Sequence, residues 1–487
     1  MNNIRRSMVL NTILMNMPLL RTQQTMLSIG FSDFAKIDGI QFQNFENIEK
    51  DFQSINGIST DSREINPGEV FWALKGDTFD GHNFLVKAFE QSALFAVVAE
   101  DAKALYKNSS FPLAIVKDTL AVLQQLSSIQ RQKFDIPVIA ITGSNGKTTV
   151  KEMLSHVLQQ KLSVLKTEGN FNNHIGCPLT LLQLNDVHEA AVIELGTNHE
   201  GELKALADIT EPNQAIITDI SGAHLEFFNT VETVASEKLS LFDQIPVDGV
   251  IYQNLDNPFI EQYRRHDAKT ITYSMQKEAD IHGDLLALNE VGCPRFIINN
   301  KTEIQLDIAG LHNIRNALAV AAVATHFGFT EEEIKDGLET FKAYSKRMQI
   351  IKEKGVTFIN DAYNANPSSM TAAFNTVSAM ARHGKIYLVL GDMFELGDYA
   401  HQLHRDVLVN ALGINPDMIC VMGKHMIEAA ESINGNSRDR IARFENHKQM
   451  AEYLISRLQE KDIVLVKGSR GMAMEKVIDS LQNNWGQ

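Results

Sequence analysis

The stretch Ile136–Lys161, IPVIAITGSNGKTTVKEMLSHVLQQK, decides the fold. Its first residues form an apolar run of strand length, and Gly143 and Gly146 then bound a short turn. Val150, Met153, Leu154, Val157 and Leu158 follow at the spacing of one helix face. A buried strand, a glycine turn and a helix, in that order, make a cradle for phosphate. Backbone N–H groups of Gly143, Ser144, Asn145, Gly146, Lys147, Thr148 and Thr149 can curl around an anion, and the helix N-terminus adds partial positive charge. Lys147 can reach the terminal phosphates of a nucleoside triphosphate, and the Thr148 hydroxyl can take one Mg²⁺ position. The long form of this motif needs a glycine where Ile141 stands, so only the shorter G-x-x-G-K-T-T is present. The flanking strand and helix give that short form its meaning. A plain surface turn would leave the two glycines and the paired threonines unexplained.

Working outward, 487 residues exceed one hydrophobic core, and two to four domains are expected. The hydrophobic content of 44% with 22% charged residues is that of an ordinary globular protein. A net charge of −15 argues against nucleic acid or an acidic membrane surface as main partner. Cys177, Cys293 and Cys420 lie far apart without metal-type spacing, which suits a reducing cytoplasm. No apolar run reaches membrane-span length. Residues 1–30 superficially resemble a signal peptide, but Asn11 and Asn16 interrupt the apolar run. A disordered or mistranslated leader is expected there, with Met26 an alternative start. Three blocks follow, at 31–117, 118–345 and 346–487, and from 118 onward strands alternate with helices. That alternation predicts an α/β protein of parallel sheets covered on both faces.

Ligands in such sheets bind beyond the carboxyl ends of the strands. Those ends carry the phosphate loop, then Glu194, then the turn containing His224, then Asn254. Glu194 with the Thr148 hydroxyl and phosphate oxygens would make a fitting Mg²⁺ shell. Lys238 falls within the apolar stripe Val231, Val234, Ala235, Leu239, Leu241, Phe242 and Ile245, with Glu237 beside it on a more polar position. Spacing alone favours a lysine that snorkels its amine to the surface. His312 and Asn313 open an alanine-rich helix and could meet a base, although helix capping explains Asn313 equally well. In the last block Asp361 ends a strand and suits a ribose hydroxyl, and Tyr363 could stack on a base. The turn Lys467-Gly468-Ser469-Arg470-Gly471 is suited to a carboxylate.

ITGSNGKTT and GLHNIRNALA together resemble the Mur ligase family, the ATP-dependent amide-forming enzymes of cell-wall precursor synthesis. The resemblance runs from about Phe31 to the end. NDAYNANPSSM, LGDMFELG and LVKGSRGMAMEKV resemble the branch that adds D-alanyl-D-alanine, and STDSRE with GDTFDGHNF resembles its uridine-nucleotide domain. The Asp-Asn-Pro-Arg motif of the diaminopimelate- or lysine-adding branch is absent. The resemblance implies three domains: a small α/β domain for the uridine nucleotide, a central ATPase domain with a P-loop-type parallel sheet, and a C-terminal Rossmann-like domain. It implies ATP and Mg²⁺ as cofactors, UDP-N-acetylmuramoyl-tripeptide and D-alanyl-D-alanine as partners, and a cytoplasmic monomer. Gly143 to Thr149 would hold the ATP phosphates, with Lys147 on the transferred group. Thr148 and Glu194 would hold Mg²⁺, and His224 a second ion together with Lys238 as a carbamate, which reverses the snorkelling expectation. Asn254, His312 and Asn313 would lie near adenine or ribose, and Asp361, Tyr363 and Asn364 would close over the nucleotide. Arg347 would reach ATP or an acyl phosphate, and Thr60, Asp61, Ser62 and Arg63 would contact the uridine substrate. His199 is a candidate general base. Two rival readings are a related ligase with another substrate, such as a folylpolyglutamate synthase, and a non-catalytic nucleotide-binding scaffold.

Overall fold

The computed structural model describes residues 27–485 except 47, 49–51 and 53. The leader expected over residues 1–30 lies outside the described residues as far as 26. Residues 27–30 correct its boundary. Leu27 and Ile29 are buried, and the Leu27 N–H donates to the Ile55 carbonyl at 2.8 Å. Two apolar side chains one residue apart, on a segment with its own backbone partner, are packed structure.

The chain packs as two compact units. One comprises the residues up to Ala140 with Leu162–Leu195 and Lys204–Pro212. The other comprises Ile141–Lys161, Gly196–Leu203 and everything from Asn213.

The first unit holds a five-stranded sheet in the order Gln41–Gln43, Leu113–Val116, Ala96–Ala99, Glu69–Trp72, Gly57–Ser59. The Gln41–Gln43 strand is antiparallel to its neighbour and the remaining pairs are parallel. Both faces are covered. Val70, Trp72, Val97, Ala114 and Val116 enter one apolar cluster, while Phe71, Ala96, Val98, Leu113 and Ile115 enter another. That is the two-residue alternation of a strand, in runs too apolar throughout for one face to meet water. The helix Thr119–Arg131 lays Val122, Leu123 and Leu126 into the first of these clusters. The parallel pair Val164–Lys166 and Ala190–Glu194 also belongs to this unit.

The strand Val138–Thr142 spans the division. Within the first unit the Ala191 N–H donates to the Pro137 carbonyl, and within the second the Thr218 N–H donates to the Thr142 carbonyl, both at 2.9 Å. In the second unit Gln214–Ile217, Val250–Asn254, Lys269–Ser274 and Ile281–Leu288 run parallel in that order. The chain then turns antiparallel through Pro294–Ile298 and Thr302–Gln305, which the expectation of parallel sheets did not include. The signal was present in Asn299-Asn300. Both residues adopt positive φ, 49° and 55°, as a tight hairpin demands.

The helix Lys147–Leu158 after the glycine turn is buried along nearly its whole length and packs on His312–His326. Alanines at 317, 319, 321, 322 and 324 of that second helix are all buried and allow close approach. A second sheet of six strands has the order Gln349–Glu353, Val356–Asp361, Ile463–Lys467, Ile386–Gly391, Met418–Met422, Ile441–Phe444. Its first pair is antiparallel and the others parallel. Among the described residues no helix is long and apolar enough to cross a membrane.

Candidate active site

In the second unit the turn after Thr142 is shaped by its glycines. Gly143 has φ 148° and a Cβ there would stand 2.1 Å from the Thr218 hydroxyl. Gly146 has φ 85°, and a Cβ would meet Asn316 Oδ1 at 2.8 Å. Left-handed backbone and lack of space both require glycine at 146. The rest of the loop is wired to the turn that follows Ile217. Ser144 N–H donates to the Asp219 carbonyl at 2.7 Å, and Ser144 Oγ donates to the Ser221 carbonyl and accepts from its N–H, each at 2.9 Å. Asn145 Nδ2 reaches Asp219 Oδ2, Ser221 Oγ and Ser368 Oγ at 3.2, 3.1 and 2.8 Å. Asn366 Nδ2 closes the ring by donating to Asn145 Oδ1 at 2.9 Å. Asn366 and Ser368 flank Pro367 at the start of the helix Pro367–Ala379, which Asn366 also caps. The glycine loop is thereby tied to a segment more than 200 residues further along the chain.

Two cations converge on this loop. Lys147 Nζ donates to the Gly143 carbonyl at 2.6 Å, folded back over the turn. Arg347 donates from Nη2 to the Thr148 hydroxyl at 2.9 Å, and its guanidinium lies 3.8 Å from the centre of the Tyr363 ring. Lys346 and Met348 on either side both have positive φ, 64° and 50°. Non-glycine residues in that region store strain, which is characteristic of functional sites. Arg347 Nε is buried without a hydrogen-bond partner among the described residues. Stacking and the planar fork both depend on guanidinium geometry, so Arg347→Lys should weaken binding of a non-hydrolysable ATP analogue about tenfold, measured by calorimetry.

Lys238, on the helix Val231–Asp243, is 2% exposed, so its amine does not reach the surface and the snorkelling expectation from spacing is corrected. Burial lowers its pKa to about 7, the Lys147 charge acts in the same direction, and Glu237 and Asp219 oppose them. Glu237 is also buried, not on a solvated position. Its carboxylate accepts from the Gly201 and Leu203 N–H groups at 2.8 Å and from the Thr197 hydroxyl at 3.2 Å. A side chain that fixes a loop three dozen residues upstream leaves no periodicity signal.

His224 has φ 55°, and its Nδ1 lies 2.5 Å from Glu395 Oε2. Burial raises the Glu395 carboxyl, but the hydrogen bond from His224 and the charges of His224 and His199 hold it below its ordinary value. Glu395 is the site residue that sequence reading missed, visible only as one letter of LGDMFELG. His199 Nδ1 lies 3.1 Å from Glu202 Oε1, and its ring packs on Phe227.

Asn254 donates to the Thr218 carbonyl and accepts from the Asp256 N–H. Asn313 donates to the Ala309 carbonyl and accepts from Asn316. Each side-chain amide thus braces its loop through one donor and one acceptor, and each NH₂ keeps a second hydrogen. Asn313 sits inside its helix, which Leu311 caps, so the capping reading is also corrected. His312 is held far below its ordinary pKa, at about 4, chiefly by burial. Its buried Nδ1 has no partner among the described residues. Asp361 Oδ2 lies 2.5 Å from Lys467 Nζ and Asp361 Oδ1 accepts from the Met348 N–H at 3.1 Å. The Asn364 carbonyl accepts from Lys467 at 3.0 Å. Thus Asp361, Asn364 and Lys467 hold the strand ends around Arg347.

In the first unit Glu194 ends its strand at 2% exposure and accepts from Asn172 Nδ2 at 2.7 Å. At the end of Gly57–Ser59, Asp61 and Arg63 form a forked pair, with Nε to Oδ1 at 2.9 Å and Nη2 to Oδ2 at 2.5 Å. Thr60 and buried Ser62 share that turn.

These features fit an anionic nucleotide. Two buried nitrogens lack partners, two cations meet over a glycine turn, and Thr148 offers a hydroxyl. Among the described residues no three His, Cys, Asp or Glu side chains converge on a metal position. Mg²⁺ does not need such a cage, because it keeps several waters and shares phosphate oxygens.

Known proteins match most of the chain. Residues 54–131 match the family model described as Mur ligase family, catalytic domain; 141–324 match Mur ligase middle domain, and 346–470 match Mur ligase, glutamate ligase domain. The UDP-N-acetylmuramoyl-tripeptide–D-alanyl-D-alanine ligase of Bacillus subtilis is 34% identical over 88% of this chain and 93% of that protein. The Escherichia coli enzyme of the same name is 35% identical over 88% and 94%. A crystal structure of MurF from Acinetobacter baumannii superposes with a TM-score of 0.85 at 29% identity, covering 95% of this chain and all of that one. MurF ligase of Thermotoga maritima in complex with ADP gives 0.75 at 25% identity, covering 88% and 98%.

Proposed function

The chain belongs to the Mur ligase family, and on that premise we propose that it joins D-alanyl-D-alanine to UDP-N-acetylmuramoyl-tripeptide with ATP, in peptidoglycan precursor synthesis. The observation that carries the reading is the attachment of the phosphate loop to Asn366 and Ser368, which lie in the NDAYNANPSSM segment that resembles the D-alanyl-D-alanine-adding branch.

A carboxylate offers an attacking amine no leaving group, and phosphorylation supplies one. The peptide carboxylate oxygen bonds to the γ-phosphorus as the bond to the β-phosphate oxygen breaks, giving an acyl phosphate and ADP. The neutral amine of the dipeptide then bonds to the acyl carbon, the C–O bond to phosphate breaks, and the amine proton passes to a base. His199, oriented by Glu202, is the candidate acceptor. Lys147 and Arg347 offset the repulsion between two anions brought together, and the wired loop holds them in line. Bound Mg²⁺ supplies further neutralisation of the phosphate oxygens. Thr148 and His224 are the donors this unit provides for it, with Lys238 when carbamylated, and the resemblance adds Glu194. The Asp61–Arg63 turn, with Thr60 and Ser62, is assigned to the uridine nucleotide. The protein acts in the cytoplasm as a monomer.

The test is phosphate release from ATP and Mg²⁺ with UDP-N-acetylmuramoyl-tripeptide and D-alanyl-D-alanine. Release that requires both organic substrates is expected. Release with a folate and glutamate instead would overturn the reading in favour of another ligase, and tight nucleotide binding without turnover would favour a scaffold.

A further inference from the structure

The turn Asp392–Tyr399 after the strand Ile386–Gly391 is built with unusual care for a surface loop. The Asp392 carboxylate accepts from the N–H groups of His425 and Met426, and the Asp392 carbonyl accepts from Ser469 N–H at 2.9 Å. Met393 N–H donates to His404 Nε2 at 2.9 Å. The ring of His404 is fully buried, and its other nitrogen lies 2.6 Å from the Ala400 carbonyl. That carbonyl can only accept, so Nδ1 carries the proton and Nε2 presents a lone pair to Met393. Phe394 N–H donates to Ser469 Oγ at 2.8 Å. Three consecutive residues are thus anchored, and the next, Glu395, is forced to φ 61°. A non-glycine residue placed there marks a conformation that the surroundings impose.

What that conformation delivers is contact with the turn around His224. The Glu395 carbonyl accepts from Glu226 N–H at 3.0 Å. Gly397, at φ 56°, lets the backbones close up, since a Cβ there would stand 3.0 Å from Glu226 Cα. The carboxylate meets His224 Nδ1 at 2.5 Å. His224 itself adopts φ 55°, so both partners hold uncommon backbone to make this contact.

We propose that Glu395 is a positioning residue: by accepting a hydrogen bond from His224 Nδ1 it fixes the direction of the ring and reserves Nε2 as the nitrogen for a divalent cation, and so makes that ligand depend on docking of the 392–399 turn. A histidine that binds metal through one nitrogen is generally oriented through the other by a carboxylate, and losing the carboxylate weakens metal affinity about 10–100-fold. Here the orienting group comes from a turn 171 residues away, in the last block of the chain. Through this hydrogen bond the ligand at His224 is coupled to seating of the 392–399 turn. The consequence for metal binding rests on the assignment of His224 to a cation proposed above; the hydrogen bond itself does not.

The full-length protein labelled with ¹⁵N-histidine tests this in two steps. Without ligands, His224 Nδ1 should carry a proton held in a hydrogen bond, seen as a downfield Nδ1–H resonance that exchanges slowly with water. Glu395→Ala should lose that signature, and Glu395→Gln, whose carbonyl still accepts, should keep it. In the presence of a non-hydrolysable ATP analogue, Mn²⁺ titration followed by electron paramagnetic resonance should show weakening of about 10–100-fold for Glu395→Ala, with Glu395→Gln close to the parent protein. An unchanged His224 signature in Glu395→Ala overturns the inference whatever the ligase assay gives. A changed signature with unchanged Mn²⁺ affinity overturns the coupling to metal and leaves the ligase reading untouched. Glu395→Gln also guards against misfolding, since it preserves shape and hydrogen bonding.

Discussion

Lys147→Ala is expected to lower phosphate release by about 10³-fold or more, with the thermal transition almost unmoved. The lysine lies on the first turn of its helix, and its amine contacts the Gly143 carbonyl, part of the turn it would share with phosphate. Removing it takes a charge from the position where negative charge builds up as the phosphoryl group transfers. The loop should keep its shape, because Ser144, Asn145 and Thr218 hold it through bonds that do not involve Lys147. A stopped assay with both organic substrates, beside a melting curve, checks both halves. Near-normal turnover in that variant would remove the phosphate-site assignment.

The second large effect concerns Lys238. Its amine is buried beside Lys147, and a pKa of about 7 leaves much of it neutral at physiological pH. Only a neutral amine attacks CO₂. Its folded pKa lies below the ordinary lysine value, so the neutral form gains population as pH rises through about 7 and is lost below it. Carbamate formation should follow that direction. Protein equilibrated with bicarbonate at about pH 8.5 should carry the mass of one added CO₂ on the peptide containing Lys238, and at about pH 6 it should not. Lys238→Ala should reduce turnover by about 10²-fold or more, because a carbamate would place anionic oxygens beside the phosphate loop for a cation. An unmodified lysine at high pH together with full activity would show that the amine itself, or nothing at this position, does the work. The same lowered pKa fixes a stability trend. Between about pH 7 and 10 the unfolded chain holds a proton that the folded chain has released, so this residue's contribution makes stability rise with pH across that window.

Much of the site is legible in the amino-acid sequence. Gly143 and Gly146 advertise a turn with special backbone, and Lys147 and Thr148 advertise the ligand. Strand ends at Glu194, Asn254 and Asp361 followed from apolar runs that stop at polar residues. The burial of Lys238 was half legible, because the stripe around it faces inward but spacing cannot say whether an amine escapes. Glu237 shows the limit of such reasoning. It looked like the polar side of the same helix, yet it is buried because three donors of the 197–203 segment converge on it. Asn254 and Asn313 show the reverse case. Amides at a strand end and a helix start look poised for a base, and the structure adds a bracing role that spacing does not show, through one donor and one acceptor of each.

By itself, then, the amino-acid order determined the local matters: where strands and helices run, where glycine must stand, and which loop has the glycine turn suited to phosphate. Those are set by hydrophobic period and by backbone sterics acting within a dozen residues. Only the tertiary structure decided which distant groups meet, such as Asn145 with Ser368, Arg347 with Thr148, and His224 with Glu395. A hydrogen bond between residues more than 150 positions apart imposes no period on the chain between them. It exists because sheets and helices, once packed, bring their strand ends to a common place, and only packing fixes that geometry.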